Sequence, residues 1–114
     1  MTADCLFCRI SAGEIPSDQV LATDSVLAFR DIAPQAPTHI VVIPRAHYAN
    51  IADLGAADAA LAGELIEAIS TISAQEGLAD GFRVVFNTGV HGGQTVAHVH
   101  AHLLAGRSLS WPPG

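Results

Sequence analysis

The stretch HVHAHLL, residues 98–104, sets three of the chain's six histidines at alternate positions of an apolar run. Val99, Ala101, Leu103 and Leu104 suit a β-strand, whose side chains point to opposite faces with a period of two. The spacing predicts His98, His100 and His102 on one face, with Val99, Ala101 and Leu103 on the other. Same-face neighbours on a strand stand roughly 6.5–7 Å apart, which separates the outer two histidines by roughly 13 Å. Three imidazoles so placed cannot all reach one reacting atom. They must do different jobs.

The flanking sequence fits a sheet around that strand. Upstream, FRVVFN reads as another strand and TGVHGGQT as a loop. HIVVIPRAH, from His39, holds a buried strand ending at Pro44, because proline cannot donate to a central ladder. Residues 19–23 and 26–30 read as short strands joined by a turn at Asp24 and Ser25. LFCRISAGEIPSD begins as a short helix and breaks at Gly13 and Pro16. A helix is expected from about residue 57 to 77, where Leu61, Leu65, Ile69 and Ile72 recur at helical spacing with Glu64 and Glu67 off that stripe. The pattern predicts an α+β fold, a largely antiparallel sheet with one main helix. No internal repeat or linker divides the chain, so residues 1–114 are expected to form a single domain with an irregular tail from about residue 108.

Composition narrows the function classes. At 114 residues the chain is long enough to bury roughly 60–70% of its unfolded surface. Half the residues are hydrophobic, yet the aliphatic runs, such as residues 40–43, are far too short to span a membrane. MTADCLFCRI lacks the basic stretch and apolar core of a signal peptide, so a cytoplasmic protein with no membrane partner is expected. All eleven acids fall within residues 1–80, whereas residues 81–114 carry Arg83, Arg107 and four histidines. A net charge of −6 argues against nucleic-acid binding, while the acid-free segment suits a small anionic ligand. The absence of lysine removes Schiff-base chemistry and an ordinary P-loop.

Three readings of the histidine run compete. The histidines could be polar packing on a half-buried strand. They could chelate a metal, completed by a distant histidine or by Asp31. Or one could attack phosphorus, since imidazole is largely unprotonated near neutral pH and is a good nucleophile when its other nitrogen is held as a donor. The loop GVHGGQT favours the third: Gly89, Gly92 and Gly93 let backbone approach an oxyanion, and Gln94 and Thr95 add neutral side-chain donors.

These stretches resemble the histidine-triad (HIT) family, in its HINT branch of nucleoside phosphoramidate hydrolases. CLFCRI, AFRDIAPQAPTHIVVIPRAH, VVFNTGVHGGQTVAHVHAHLLAGR and the closing WPPG carry the resemblance and cover most of the chain in the family's order. The resemblance implies a HIT-like fold, a homodimer paired through the helix and a continuous sheet, and hydrolysis of P–N bonds in purine nucleotides of the AMP or GMP type. It implies His100 as the nucleophile that forms a nucleotidyl-histidine intermediate, with His102 and His39 handling protons around the phosphate. Asn87, Gly93, Gln94 and Thr95 match the phosphate loop, with Thr95 where the family usually has serine. Asp31 matches the acid that holds the ribose hydroxyls, and Phe7, Phe29 and Ile32 match the apolar base pocket. Imidazolium and backbone N–H groups can supply the chemistry without a metal cofactor. Two alternatives stay open: a dinucleoside polyphosphate hydrolase acting on P–O–P bonds, and a nucleotide-binding or scaffolding HIT protein.

Cys5 and Cys8 form a CxxC pair with two readings of their own. They are either reduced core thiols or half of a Cys2His2 tetrahedron that His47 and His98 complete from distant parts of the chain. Some relatives with this CxxC carry a structural zinc and others lack it. If zinc is bound, His98 is structural and takes no part in proton transfer.

Overall fold

The computed structural model describes residues 4–114. Five antiparallel strands form one sheet: β1 (Gln19–Ala22), β2 (Val26–Arg30), β3 (Thr38–Pro44), β4 (Phe82–Val85) and β5 (Ala101–Ala105), in the order β1-β2-β3-β5-β4. Among the described residues three helices accompany it: α1 (Leu6–Ser11), α2 (Ile51–Ala57) and α3 (Ala59–Gln75). None is long and apolar enough to cross a membrane. The α+β architecture is the one the hydrophobic pattern predicts.

The period-two rule sorts the core into two halves. Even positions of β2 and β3, Val26, Ala28, Ile40 and Val42, pack with Leu61, Leu65, Ile69 and Ile72 of α3. Odd positions, Leu27, Phe29, Val41 and Ile43, pack with Phe7 and Ile10 of α1. A strand covered on both faces has no reason to alternate, and THIVVIP accordingly reads as a nearly continuous apolar run. Val41 pairs with His102 and His39 with Leu104. His39 and His102 are thus diagonal neighbours on the α1 side of the sheet.

Two boundaries differ from the sequence expectation. The main helix begins at Ala59, and residues 51–57 form a separate helix before it. Asp58 ends α2 and caps α3, its Oδ1 accepting the Leu61 N–H at 3.0 Å. The histidine run is strand only from Ala101, so His98 and His100 precede β5. Pro44 accounts for this, because it has no N–H with which to extend the ladder beyond the Val42–Ala101 pair. Val99 bonds instead to the Tyr48 carbonyl at 2.7 Å, and the His98 ring takes the Pro44 carbonyl.

Candidate functional site

Leaving the ladder separates the three histidines. His98, fully buried, turns toward Cys5, Cys8 and His47. His100 and His102 instead line a cavity of about 500 Å³, together with Phe7, Phe29, Asp31, Ile32 and Thr95. A cavity of this size suits a small organic ligand.

The bonding partners assign the nitrogens at the cavity. His100 Nδ1 lies 2.8 Å from the His98 carbonyl oxygen, which can only accept. Nδ1 therefore carries the hydrogen, and Nε2 keeps its lone pair. The Phe7 ring meets His100 edge-on with centroids 5.0 Å apart, and His102 stands 4.9 Å from His100 on the same measure. A second chain of bonds begins in the main chain. The Gln35 N–H donates to His39 Nδ1 at 3.0 Å, which leaves the hydrogen of a neutral His39 on Nε2. That Nε2 donates to His102 Nδ1 at 2.9 Å and lies 3.5 Å from Asp31 Oδ2. His102 then carries its hydrogen on Nε2. The two adjacent rings thus take opposite tautomers, one with a free Nε2 lone pair and one with an Nε2–H.

Burial pushes His102 below the ordinary histidine pKa, the neighbouring His100 and His39 push the same way, and Asp31 opposes them. Asp31, His39 and His102 bring possible ligand atoms within 4.8 Å of one another. The His39 Nε2–H already fills that space, so this group fits a hydrogen-bond chain better than a metal.

The loop behind the site departs from its expected part. Gln94 is consumed by the main chain: Nε2 donates to Ala49 O at 2.6 Å and Val96 O at 2.9 Å, while Oε1 accepts the Gly89 N–H at 3.1 Å. It shapes the loop and offers no side-chain donor to a ligand. Gly92 is required because a Cβ there would collide with the Thr88 backbone, 2.7 Å from its nitrogen. Thr95 reaches the cavity wall, whereas Asn87 and Gly93 lie outside it. Ile32 is fully exposed at the rim. Ser17, Ile10 and Ile15 also line the cavity and carry no signal in the sequence.

The other histidine builds a different site. Cys5, Cys8, His47 and His98 bring one ligand atom each within 4.8 Å of the others and could hold a metal ion. The His47 and His98 Nδ1 atoms are 3.1 Å apart, and nitrogen–sulfur separations are 3.3, 3.4 and 3.5 Å. A tetrahedral zinc with ordinary bond lengths has edges of about 3.3 Å between nitrogens and about 3.5 Å between nitrogen and sulfur. His98 Nε2 donates to the Pro44 carbonyl at 2.8 Å, so its Nδ1 lone pair faces the centre of the cluster. Burial, the main influence, holds His98 below the usual pKa against the opposing pull of that carbonyl. The residues fit a four-coordinate ion.

An antiparallel sheet that sets paired imidazoles at one cavity, with HGGQ folded behind them, defines a histidine-triad protein. Residues 12–109 match the HIT domain, and the chain belongs to that family. It is 47% identical over 110 residues to the purine nucleoside phosphoramidase of Escherichia coli strain K12, covering 96% of this chain and 92% of that protein. It is 46% identical over 111 residues to the 14 kDa zinc-binding protein of Zea mays, covering 96% and 87%. The crystal structure of a HIT family hydrolase from Legionella pneumophila Philadelphia 1 superposes with a TM-score of 0.94 at 47% identity, covering 97% of this chain and 100% of that one. Cys5 and Cys8 lie ahead of the segment that matches the family.

Proposed function

We propose that this chain hydrolyses purine nucleoside phosphoramidates through a nucleotidyl-His100 intermediate. One observation carries the reading: the Nδ1–H bond of His100 to the His98 carbonyl leaves an Nε2 lone pair on a ring that lines a nucleotide-sized cavity. In the first step Nε2 attacks the α-phosphorus, the P–N bond breaks, and the leaving nitrogen takes a proton from its surroundings. Water then attacks the same phosphorus and gives up a proton to solvent, replacing the one the leaving nitrogen took; the P–His100 bond breaks, and AMP or GMP departs. His102 donates its Nε2–H to a phosphoryl oxygen, and His39 holds it in that tautomer. Asp31 binds the ribose hydroxyls, while Phe7, Phe29 and Ile32 enclose the base. Thr95 binds the phosphate with help from Asn87 and Gly93 on the adjoining loop, which Gln94 keeps in shape. The name of the Escherichia coli relative supports the choice of substrate.

Cys5, Cys8, His47 and His98 would hold a structural zinc, a reading supported by the name of the maize relative. When bound, the ion would cross-link α1 to the segment after β3 and to the start of the histidine run; the phosphoryl chemistry is assigned to the histidines alone. The chain is further proposed to pair as a cytoplasmic homodimer. Supporting this, β4 is an edge strand with Phe82 exposed, and Ile66 projects from α3 into solvent.

Turnover of adenosine monophosphoramidate compared with diadenosine polyphosphates tests the reading. The phosphoramidate should be preferred, and a substrate chiral at phosphorus should react with overall retention, because two displacements invert it twice. Net inversion, or a preference for the polyphosphates, overturns the proposal.

A further inference from the structure

Ser17 lines the cavity, and its side chain carries a buried polar atom with nothing to bond. Its Oγ is the sole buried side-chain nitrogen or oxygen among the described residues that lacks a hydrogen-bond partner. Buried hydroxyls are nearly always satisfied, and each exception calls for a physical reason. Around it, Phe7, Ile10, Ile15 and Pro16 contribute apolar surface to the same cavity. Folding therefore leaves unbonded a group that water would have solvated.

Its place in the sheet suggests what it meets. Ser17 lies two residues before β1, while His102 lies on β5. In the order β1-β2-β3-β5 these strands are three spacings apart, roughly 14 Å. Ser17 and His102 therefore stand toward opposite ends of one cavity. If the phosphate lies at the histidines and the ribose at Asp31, the base points toward Ser17. The inference rests on the nucleotide reading of the cavity and adds a residue to it.

We propose that Ser17 recognises the base: rotation about χ1 brings its hydroxyl to a polar edge of the nucleobase. A hydroxyl can donate or accept and rotates to suit, so it can meet an amino group or a carbonyl. It would select for a polar base edge in a pocket whose remaining contacts there are apolar, without choosing between adenine and guanine.

Calorimetric titration of the full chain with AMP and with ribose 5-phosphate, in wild type and Ser17→Ala, tests this. The second ligand keeps the phosphate and sugar but has no base. Ser17→Ala should weaken AMP binding about 3- to 10-fold, the range expected for one hydrogen bond, and leave ribose 5-phosphate unaffected. Thermal unfolding of the ligand-free variant should occur at the same temperature or higher, since the hydroxyl removed was bonded to nothing. Unchanged AMP affinity, equal loss for both ligands, or a lowered unfolding temperature would each overturn the role of Ser17. Wild type that fails to bind AMP would overturn the nucleotide reading itself, which is a separate result.

Discussion

His98 and His100 are two residues apart, yet they sit in opposite surroundings. His98 is sealed between two cysteines, a histidine and the Pro44 carbonyl, where both ring nitrogens have partners. His100 has one nitrogen tied to the main chain and the other left at the wall of an open cavity. The proposed roles, structural ligand for one and nucleophile for the other, rest on which ring nitrogen the backbone occupies: Nε2 in His98 and Nδ1 in His100. The two are joined, since the carbonyl that fixes His100 belongs to His98. His98 thus faces a cluster of possible metal ligands, and His100 faces a cavity.

The sharpest way to break this contrast is at the open end. His100→Ala should reduce phosphoramidate turnover by at least about 10⁴-fold while leaving AMP affinity within a few-fold, because binding rests on the pocket and bond making on one imidazole. Single-turnover kinetics beside AMP titration would check both halves. Near-normal turnover by the variant would remove His100 from the role assigned to it.

At the sealed end the expected loss is in stability. Protein prepared without added metal should carry close to one equivalent of zinc, and Cys8→Ser should lose it, with unfolding about 10 °C lower. Elemental analysis and a thermal scan read the two effects. Zinc below about a tenth of an equivalent in the wild type would reduce the cluster to a partly buried set of thiols and imidazoles.

How much of this contrast was legible beforehand depends on where each residue's partner lies. THIVVIP and the Leu61–Leu65–Ile69–Ile72 stripe announce their elements because burial imposes a period, or removes one, over several consecutive residues. α2 escaped notice because Leu54 is its one buried residue, leaving the Asn50 cap as the main signal. The start of β5 depends on a missing N–H at Pro44, more than fifty residues away in the chain. Gln94 reads as a ligand donor until its acceptors, the Ala49 and Val96 carbonyls, come into view. Main-chain acceptors leave no mark on the sequence. Residue types at the site were therefore legible, as was the need for the second nitrogen of an attacking imidazole to be held as a donor, but which carbonyl holds it was not.

The smallest expected effect refines the comparison through protons. Burial lowers the pKa of both His98 and His102, but the neutral ring serves different ends: a lone pair toward the sulfur cluster in one, an Nε2–H toward the cavity in the other. For His102 the groups in play are His100, His39 and Asp31, and the carboxylate only partly offsets the burial and the two rings. A histidine lowered in the folded state binds its proton more readily when unfolded. Its contribution to stability is thus fully present above the unfolded pKa of about 6.5 and is lost as pH falls from there through the folded value. Urea unfolding of the wild type should show stability falling below about pH 6.5, and His102→Asn, which cannot titrate, should fall less steeply across the same window. Equal slopes in the two proteins would mean that the acid sensitivity lies elsewhere and that the tautomer chain from Gln35 to His102 adds nothing measurable to the fold.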